Sequence, residues 1–276
     1  MIKSIINVCL FVFVLSISSS SFALDFIKLG TGHDVGDFWG TPDAYLAPFP
    51  STIQYLQAKG KNQTNPIDTL TVTDENVQDV FAGVYGPFDA LVFSERLEKL
   101  TPETYGLINN YVSNGGCLIL TGSHLAEADF LNNTFGFSVS VIGVNNGVDT
   151  FSIQPGAAAG TQFAGGPSGL IAADATVAFS NTPGIDIYTG STGVAVFTDT
   201  FGLGTLTAIG WDYCCTPPDN QSDILDWYEV VNRAFDQCFP SSQARPIPTL
   251  SEWGLIAMAG ILGLFGLLVV RRRLTA

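Results

Sequence analysis

An uncharged run of seventeen residues near the C-terminus, Gly254 to Val270, places the strongest constraint on what this chain can fold into. A helix of that length is near the lower limit for crossing the hydrocarbon core of a bilayer. Trp253 precedes the run, where an indole favours the membrane interface. Three arginines follow it directly: Arg271, Arg272 and Arg273. Because such residues stay cytoplasmic, the pattern predicts one membrane-spanning helix, with the body outside and residues 271–276 inside.

The first 23 residues have the pattern of a secretory signal peptide. Lys3 supplies a positive charge, Ile5 to Ile17 form an apolar core, and Ser21-Phe22-Ala23 is a cleavage site of the small-x-small type. An uncleaved N-terminal anchor is the alternative, but the short apolar core favours cleavage. Signal peptide and C-terminal helix predict the same topology, in which the body is exported across the inner membrane.

A short motif lies between the body and the apolar run. It consists of Ile247, Pro248, Thr249 and Leu250, followed by Ser251, Glu252, Trp253 and Gly254. Motif, apolar run and basic tail together resemble the IPTL-CTERM sorting signal of Gram-negative bacteria, a relative of the PEP-CTERM signals. The resemblance covers about the last thirty residues. It implies an exosortase-type protease as partner, cleavage near the motif, and transfer of the body to the cell surface or extracellular matrix.

The sequence around this motif is suited to proteolysis. Pro246 and Pro248 keep the segment extended, because proline removes a donor and restricts the residue before it. A eukaryotic GPI-anchor signal also has a polar spacer and an apolar tail, but its tail normally ends apolar. The predicted organisation is therefore a signal peptide (1–23), an ectodomain (24–239), a linker with the sorting motif (240–253), a transmembrane helix (254–270) and a cytoplasmic tail (271–276).

Composition and charge restrict the function of the body. Hydrophobic residues make up 46% of the chain and charged residues 13%, which excludes a disordered chain. The formal net charge is -14, and such a surface repels phosphate backbones. Nucleic acid is therefore excluded as a partner, whereas the acidic surface could attract divalent cations.

The first half of the body alternates predicted strands and helices. The strands are Phe26–Leu29, Asp68–Thr73, Asp89–Phe93 and Cys117–Thr121, and the helices are 51–59, 74–81, 101–113 and 126–134. This βαβα order predicts a parallel sheet covered by helices. Residues 137–199 are rich in Gly, Ala, Ser and Thr and predict β-rich insertions or edge hairpins. A strand at 204–210 and a helix at about 222–238 restore the first pattern.

Several stretches of the body resemble the class I glutamine amidotransferase-like fold, a flavodoxin-like α/β fold. They are Asp89–Phe93, Leu100–Glu103, Tyr111–Gly116, Leu118–Gly122, Gly202–Thr205 and Gly210–Asp212. The resemblance implies a flavodoxin-like parallel sheet with helices on both faces. It also implies a nucleophilic Cys on a strand-to-helix turn and a His after a late strand. Here that turn is Thr121–His124 and the late strand ends at Gly210-Trp211-Asp212, so both catalytic residues are missing. The sequence therefore favours a non-catalytic domain, although the question of an enzyme stays open.

One group of side chains is predicted to meet where the parallel strands end. It comprises His33, Ser123, His124, Glu127, Trp211 and Asp212. Open α/β sheets bind ligands at this edge, so a hydrolase or carbohydrate-active domain is the alternative to a binding or structural domain. In the plainer interpretation, Ser123 caps a helix, His124 is exposed and Glu127 supports the helix N-terminus. We favour that interpretation, because adjacent residues rarely form a catalytic hydrogen bond.

Cysteines and acidic residues give further candidates. Four cysteines lie in the body, and export permits disulfides: Cys238 is predicted to pair with Cys214 or Cys215, and Cys117 to be buried and free. None of their spacings is that of a zinc site. Three acids could bind Ca²⁺, but their spacing is not that of an EF-hand: Asp34, Asp37 and Asp43. We expect no metal and no cofactor, and the sequence does not identify the ligand.

Overall fold

The computed structural model describes residues 24–29, 61–63, 72–94, 99–122, 125–173, 176–211 and 221–239. Contacts divide the chain into two units, residues 1–238 and 239–276. The predicted signal peptide, the helix at 51–59, the sorting motif and the apolar run lie outside the described residues. Within the described ranges, no helix combines the length and the apolar character needed to cross a membrane.

The described elements follow the order expected of an α/β domain. The strands are β1 (Leu24–Leu29), β2 (Lys61–Gln63), β3 (Ala90–Ser94), β4 (Cys117–Thr121), β5 (Ser140–Gly143), β6 (Thr150–Ile153), β7 (Gly169–Ile171), β8 (Val177–Ser180), β9 (Ile185–Thr189), β10 (Val194–Phe201) and β11 (Gly204–Ile209). The helices are α1 (Asp74–Phe81), α2 (Pro102–Ser113), α3 (Ala126–Phe135), α4 (Pro155–Ala158) and α5 (Gln221–Cys238).

Five parallel strands form the first half of the sheet, in the order β2-β1-β3-β4-β11. This is the flavodoxin-like strand order 2-1-3-4-5, with β11 as the fifth strand. Cys117, the first residue of β4, pairs with Ala90 on one side and with Thr205 on the other. The predicted flavodoxin-like core is therefore present, and β4 lies between two parallel neighbours inside it.

The second half of the sheet corrects the prediction of a parallel sheet. From β11 onward the path runs β10-β9-β6-β7, every pair is antiparallel, and β5 and β8 form a further antiparallel pair beside β10. A parallel pair needs a long crossover, usually a helix, whereas antiparallel neighbours can be joined by tight turns. Between β5 and β10 the only described helix is the four-residue α4. The β-rich middle was predicted correctly, but it extends the same sheet.

Helices cover both faces of the parallel strands, as the fold resemblance implies. Alternate strand residues such as Ile27 and Phe93 join one hydrophobic core with side chains of α1, α2 and α3. Phe26, whose side chain points to the other face, packs against Phe235 of α5 with ring centroids 5.1 Å apart. The central strands β3 and β4 are thus buried on both sides, which explains why nearly all of their residues are apolar.

Local capping signals set the ends of the helices. Thr73 and Thr101 precede α1 and α2, and their hydroxyls accept hydrogen bonds from backbone N–H groups in the first turns. Pro102 occupies the first position of α2, where its missing N–H is not needed. Gly136 ends α3 with a φ of 73°, a conformation that favours glycine.

A disulfide joins α5 to the central strand β4 and corrects the predicted pairing. Cys238, the last residue of α5, is bonded to Cys117, with Cα atoms 5.4 Å apart. Cys117 is therefore not free. Its partner is 121 residues away in sequence and becomes a neighbour only when α5 packs across the sheet. Cys214 and Cys215, the predicted partners, lie outside the described residues.

Candidate functional site

The candidate site lies where β4 and β11 end side by side. Thr121 pairs with Ile209, and the N–H of Gly122 donates to the carbonyl of Ile209 at 3.2 Å. Beyond these residues the chain leads from β4 into α3 and from β11 to Trp211. The structure describes two of the six predicted site residues, Glu127 and Trp211. The other four lie outside the described residues: His33, Ser123, His124 and Asp212.

Glu127 lies in the first turn of α3 and is completely buried. It packs directly over Gly122: a Cβ atom at that glycine would lie 2.7 Å from Cγ of Glu127, too close for a real contact. The missing side chain of Gly122 therefore makes room for the acid. A carboxylate in this first turn interacts favourably with the helix dipole. These observations support a structural role for Glu127 at the end of the central strand.

Trp211 is also completely buried, and its surroundings belong to α5. Its ring centroid lies 5.7 Å from that of Trp227 and 5.6 Å from that of Tyr228. Trp227 in turn donates its indole N–H to the carbonyl of Ile171 at 2.9 Å. Trp211 also forms an isolated antiparallel bridge with Thr176. The aromatic contact thus fastens α5 to the end of β11 and to the antiparallel half of the sheet.

A polar network that sequence reasoning missed joins the N-termini of α1 and α2. The N–H and the hydroxyl of Thr101 both donate to Oδ1 of Asp74, at 2.9 and 2.8 Å. Gln78 of α1 donates to the hydroxyl of Thr104 at 3.0 Å. Hydrogen bonds from the hydroxyl of Thr104 and from Thr101 lower the pKa of Asp74 below its ordinary value. The only sequence signal for this network was an acid directly after a helix cap.

Replacement of Asp74 by asparagine is expected to lower the Tm at pH 7, since the amide is a weaker acceptor for Thr101. A carboxyl with a depressed folded pKa contributes stability above its unfolded pKa, and this contribution is lost as the pH falls through the folded value. The difference in Tm between wild type and variant should therefore narrow below about pH 4. Thermal unfolding between pH 7 and pH 3 measures this difference in Tm. Asp79→Asn is the control, because it removes one negative charge from the same helix. A difference that stays constant over this range would contradict the assignment.

Metal binding has no structural support in the described part of the chain. Within those ranges, no group of three or more His, Cys, Asp or Glu side chains is arranged to hold an ion. The three acids considered for Ca²⁺ lie outside these ranges.

Comparison with known proteins identifies the C-terminal segment. A family model described as the IPTL-CTERM motif matches residues 245–273. This match confirms the predicted sorting signal, which occupies the segment directly after the body. No curated protein matches the chain.

Solved structures similar to this chain are distant. One is a ThuA-like protein from Parabacteroides merdae, at 10% identity and a TM-score of 0.47, over 79% of this chain and 90% of that one. Another is a cytoplasmic protein from Salmonella typhimurium, at 14% identity and a TM-score of 0.44, over 78% and 98%. A third is an exo-β-1,4-mannosidase from Opitutaceae bacterium strain TAV5, at 10% identity and a TM-score of 0.38 over 77% of this chain.

The mannosidase is a much larger protein, and this chain spans only 35% of its length. Structural similarity at these identities and TM-scores does not support an inference about activity or ligand. The fold assignment therefore rests on the strand order of the sheet itself, and the functional assignment on the matched C-terminal motif.

Proposed function

We propose that this chain is an exported bacterial protein that is tethered in the inner membrane by its C-terminal helix and then sorted to the cell surface or extracellular matrix by an exosortase-type protease. The match of residues 245–273 to the IPTL-CTERM motif carries the proposal. In the sequence, the apolar run and the three arginines follow the motif in the order that such a signal requires. The predicted signal peptide supports the same route.

The body is proposed to be a binding or structural domain without catalysis. The strand-to-helix turn after β4 contains no cysteine, and no histidine follows β11 directly. Of the candidate site residues, both described members are buried and packed against the fold itself. A general acid or nucleophile must reach a substrate, and neither Glu127 nor Trp211 has an exposed surface.

The proposal predicts the mass and location of the mature protein. In native cells we expect an intact mass that ends between Ile247 and Gly254, found in the released or surface fraction. Alanine replacement of the four residues Ile247 to Leu250 should leave the tail in place and the protein in the inner-membrane fraction. Alanine replacement of Ser241, Ser242 and Gln243 in the linker is the matched control. A wild-type mass that still includes Arg271 to Arg273 would instead indicate a permanently anchored ectodomain.

A hydrolase or carbohydrate-active domain is the second candidate, because in the sequence His124 follows the end of the central strand β4 by three residues, and open α/β sheets bind ligands at this edge. An activity assay on the purified protein distinguishes the hydrolase from the non-catalytic binding domain. Turnover of a glycoside or ester substrate that is lost in a folded His124→Ala variant would support the hydrolase. A folded but inert protein supports the binding domain.

A further inference from the structure

Three neighbouring segments form the edge of the sheet at which parallel strands begin. Residues 82–88 lead into β3, residues 113–116 lead from α2 into β4, and residues 201–203 lead from β10 into β11. Because β3, β4 and β11 are adjacent and parallel, the three segments lie side by side. The N–H of Leu203 donates to the carbonyl of Ser113 at 2.9 Å, which joins two of them directly. Together these segments are called the amino edge.

The amino edge is uncharged and exposes apolar side chains. No position in its three segments is Asp, Glu, Lys or Arg, in a chain with 25 acids and 11 bases. Val84 is 63% exposed and Leu203 is 82% exposed. The nearest acids in the sequence, Asp89 and Asp199, are partly buried. Exposed apolar side chains that are grouped in this way mark an interaction surface.

Aromatic rings at the same edge enlarge this apolar surface. Six of them pack against the hydrophobic core and remain partly exposed: Phe81, Tyr85, Phe88, Tyr111, Phe137 and Phe201. The ring of Tyr111 lies 5.8 Å from that of Phe81 and 5.2 Å from that of Phe88. On the other side of Leu203, the rings of Phe201 and Phe137 lie 6.0 Å apart. Aromatic and aliphatic side chains of this kind are the groups that proteins insert into a membrane interface.

The chain leaves the described body at the same edge. Cys238, the last residue of α5, is bonded to Cys117, which directly follows residues 113–116. Fifteen residues, 239–253, separate Cys238 from the apolar run in the sequence. Even fully extended they reach at most about 50 Å, so on the proposed route this edge is held near the bilayer. A tether raises the effective concentration of the surface beside it, and a small apolar surface is then sufficient for contact.

The opposite edge, where the parallel strands end, differs in charge. In the sequence, Glu95 and Arg96 follow β3 and Asp212 follows β11, and charged groups disfavour contact with hydrocarbon. Two exposed aliphatic side chains at this edge match those of the amino edge in kind. Leu125, 72% exposed, lies between β4 and α3. Val148, 71% exposed, precedes β6, which begins at this edge because β11, β10, β9 and β6 alternate in direction.

We propose that the amino edge rests on the membrane surface while the C-terminus tethers the protein, with Leu203 and Val84 in contact with lipid. The inference rests on the proposed function, because the contact needs the tether. It deepens that function by naming the surface with which the body meets the bilayer before sorting. The carboxyl ends of the parallel strands then face away from the lipid.

Photochemical attachment to lipid tests the proposal on the full chain, reconstituted in vesicles of phosphatidylethanolamine and phosphatidylglycerol. In four separate variants, the photoreactive residue p-benzoylphenylalanine replaces Leu203, Val84, Leu125 or Val148. All four positions are exposed, so the larger side chain requires no repacking. After irradiation, the intact mass reports the fraction of protein that carries a phospholipid. We expect this fraction to be severalfold larger for positions 203 and 84 than for their matched controls at 125 and 148.

A charge substitution tests whether the apolar surface causes the contact. With the photoreactive residue at position 84, Leu203→Asp should lower the attached fraction severalfold, because a carboxylate disfavours the membrane interface. Leu125→Asp adds the same charge at the opposite edge and should leave the fraction unchanged. Circular dichroism and the Tm verify that each variant is folded.

Several results would overturn the membrane-contact proposal. These are equal attachment at all four positions, greater attachment at 125 and 148, or no effect of Leu203→Asp. Attachment of positions 203 and 84 to a second copy of the chain, in place of lipid, would show an interface between copies and would also overturn it. An alkaline wash of the vesicles separates the two proposals. Loss of the chain from the vesicles would contradict the tether and the contact together, whereas retention without lipid attachment at 203 and 84 would contradict the contact alone.

Discussion

Replacement of both Cys117 and Cys238 by alanine is expected to lower the free energy of unfolding by about 4–5 kcal/mol. The disulfide closes a loop with a sequence separation of 121 residues, and the loss of chain entropy in the unfolded state grows with loop length. Alanine avoids placing a new hydroxyl in the buried site at Cys117. For a domain of this size, the change corresponds to a decrease in Tm of about 10–15 °C.

Urea or thermal unfolding of the oxidised proteins measures this effect, and reduced wild type should resemble the double variant. Alanine replacement of Cys214 and Cys215 is the matched control, because it removes two cysteines and leaves the 117–238 bond intact. A large loss in this control, with little change on Cys117→Ala alone, would restore the pairing predicted from the sequence. Peptide mapping under non-reducing conditions identifies the bonded pair directly.

On the route proposed above, in which the C-terminus holds the protein in the membrane, the position of this bond has a mechanical consequence. The IPTL-CTERM match begins at residue 245, seven residues after Cys238. Without a covalent bond, a pull on the tail would act first on the packing of α5. With it, the load passes to β4, which is hydrogen-bonded to strands on both sides. In the membrane-tethered state that we propose, the disulfide would therefore protect the packing of the last helix.

Elements whose signals are local could be predicted from the sequence. Helix α2 is an example: Thr101 caps it, Pro102 begins it and Gly115 follows its end. The apolar run Cys117–Thr121 likewise became β4 with unchanged bounds. These features depend on neighbours within a few residues, so short sequence patterns are sufficient to predict them.

Features that depend on distant pairs could not be predicted in the same way. The partner of Cys238 is set by the packing of α5 across the sheet, which brings it to a cysteine 121 positions earlier in the sequence. Strand direction in residues 137–201 follows from the absence of crossover helices, which composition only suggests. For the candidate site, the sequence placed Glu127 and Trp211 at strand ends but gave no sign that both are buried.

Replacement of Trp211 by alanine is expected to lower the free energy of unfolding by about 3–5 kcal/mol, as for other buried aromatic residues. The side chain is completely buried between β11 and α5, and its loss removes the contacts with Trp227 and Tyr228. Trp211→Phe keeps an aromatic ring there and should recover a large part of the loss. The measurement is urea unfolding, followed by far-ultraviolet circular dichroism.

Leu203→Ala is the matched control, since Leu203 is 82% exposed in the turn between β10 and β11 and its truncation should change stability by less than about 0.5 kcal/mol. If Trp211→Ala were as stable as the wild type but failed to bind a ligand, Trp211 would belong to a binding site at the strand ends. A large loss of stability that Trp211→Phe partly restores would instead establish Trp211 as the residue that fastens α5 to the sheet.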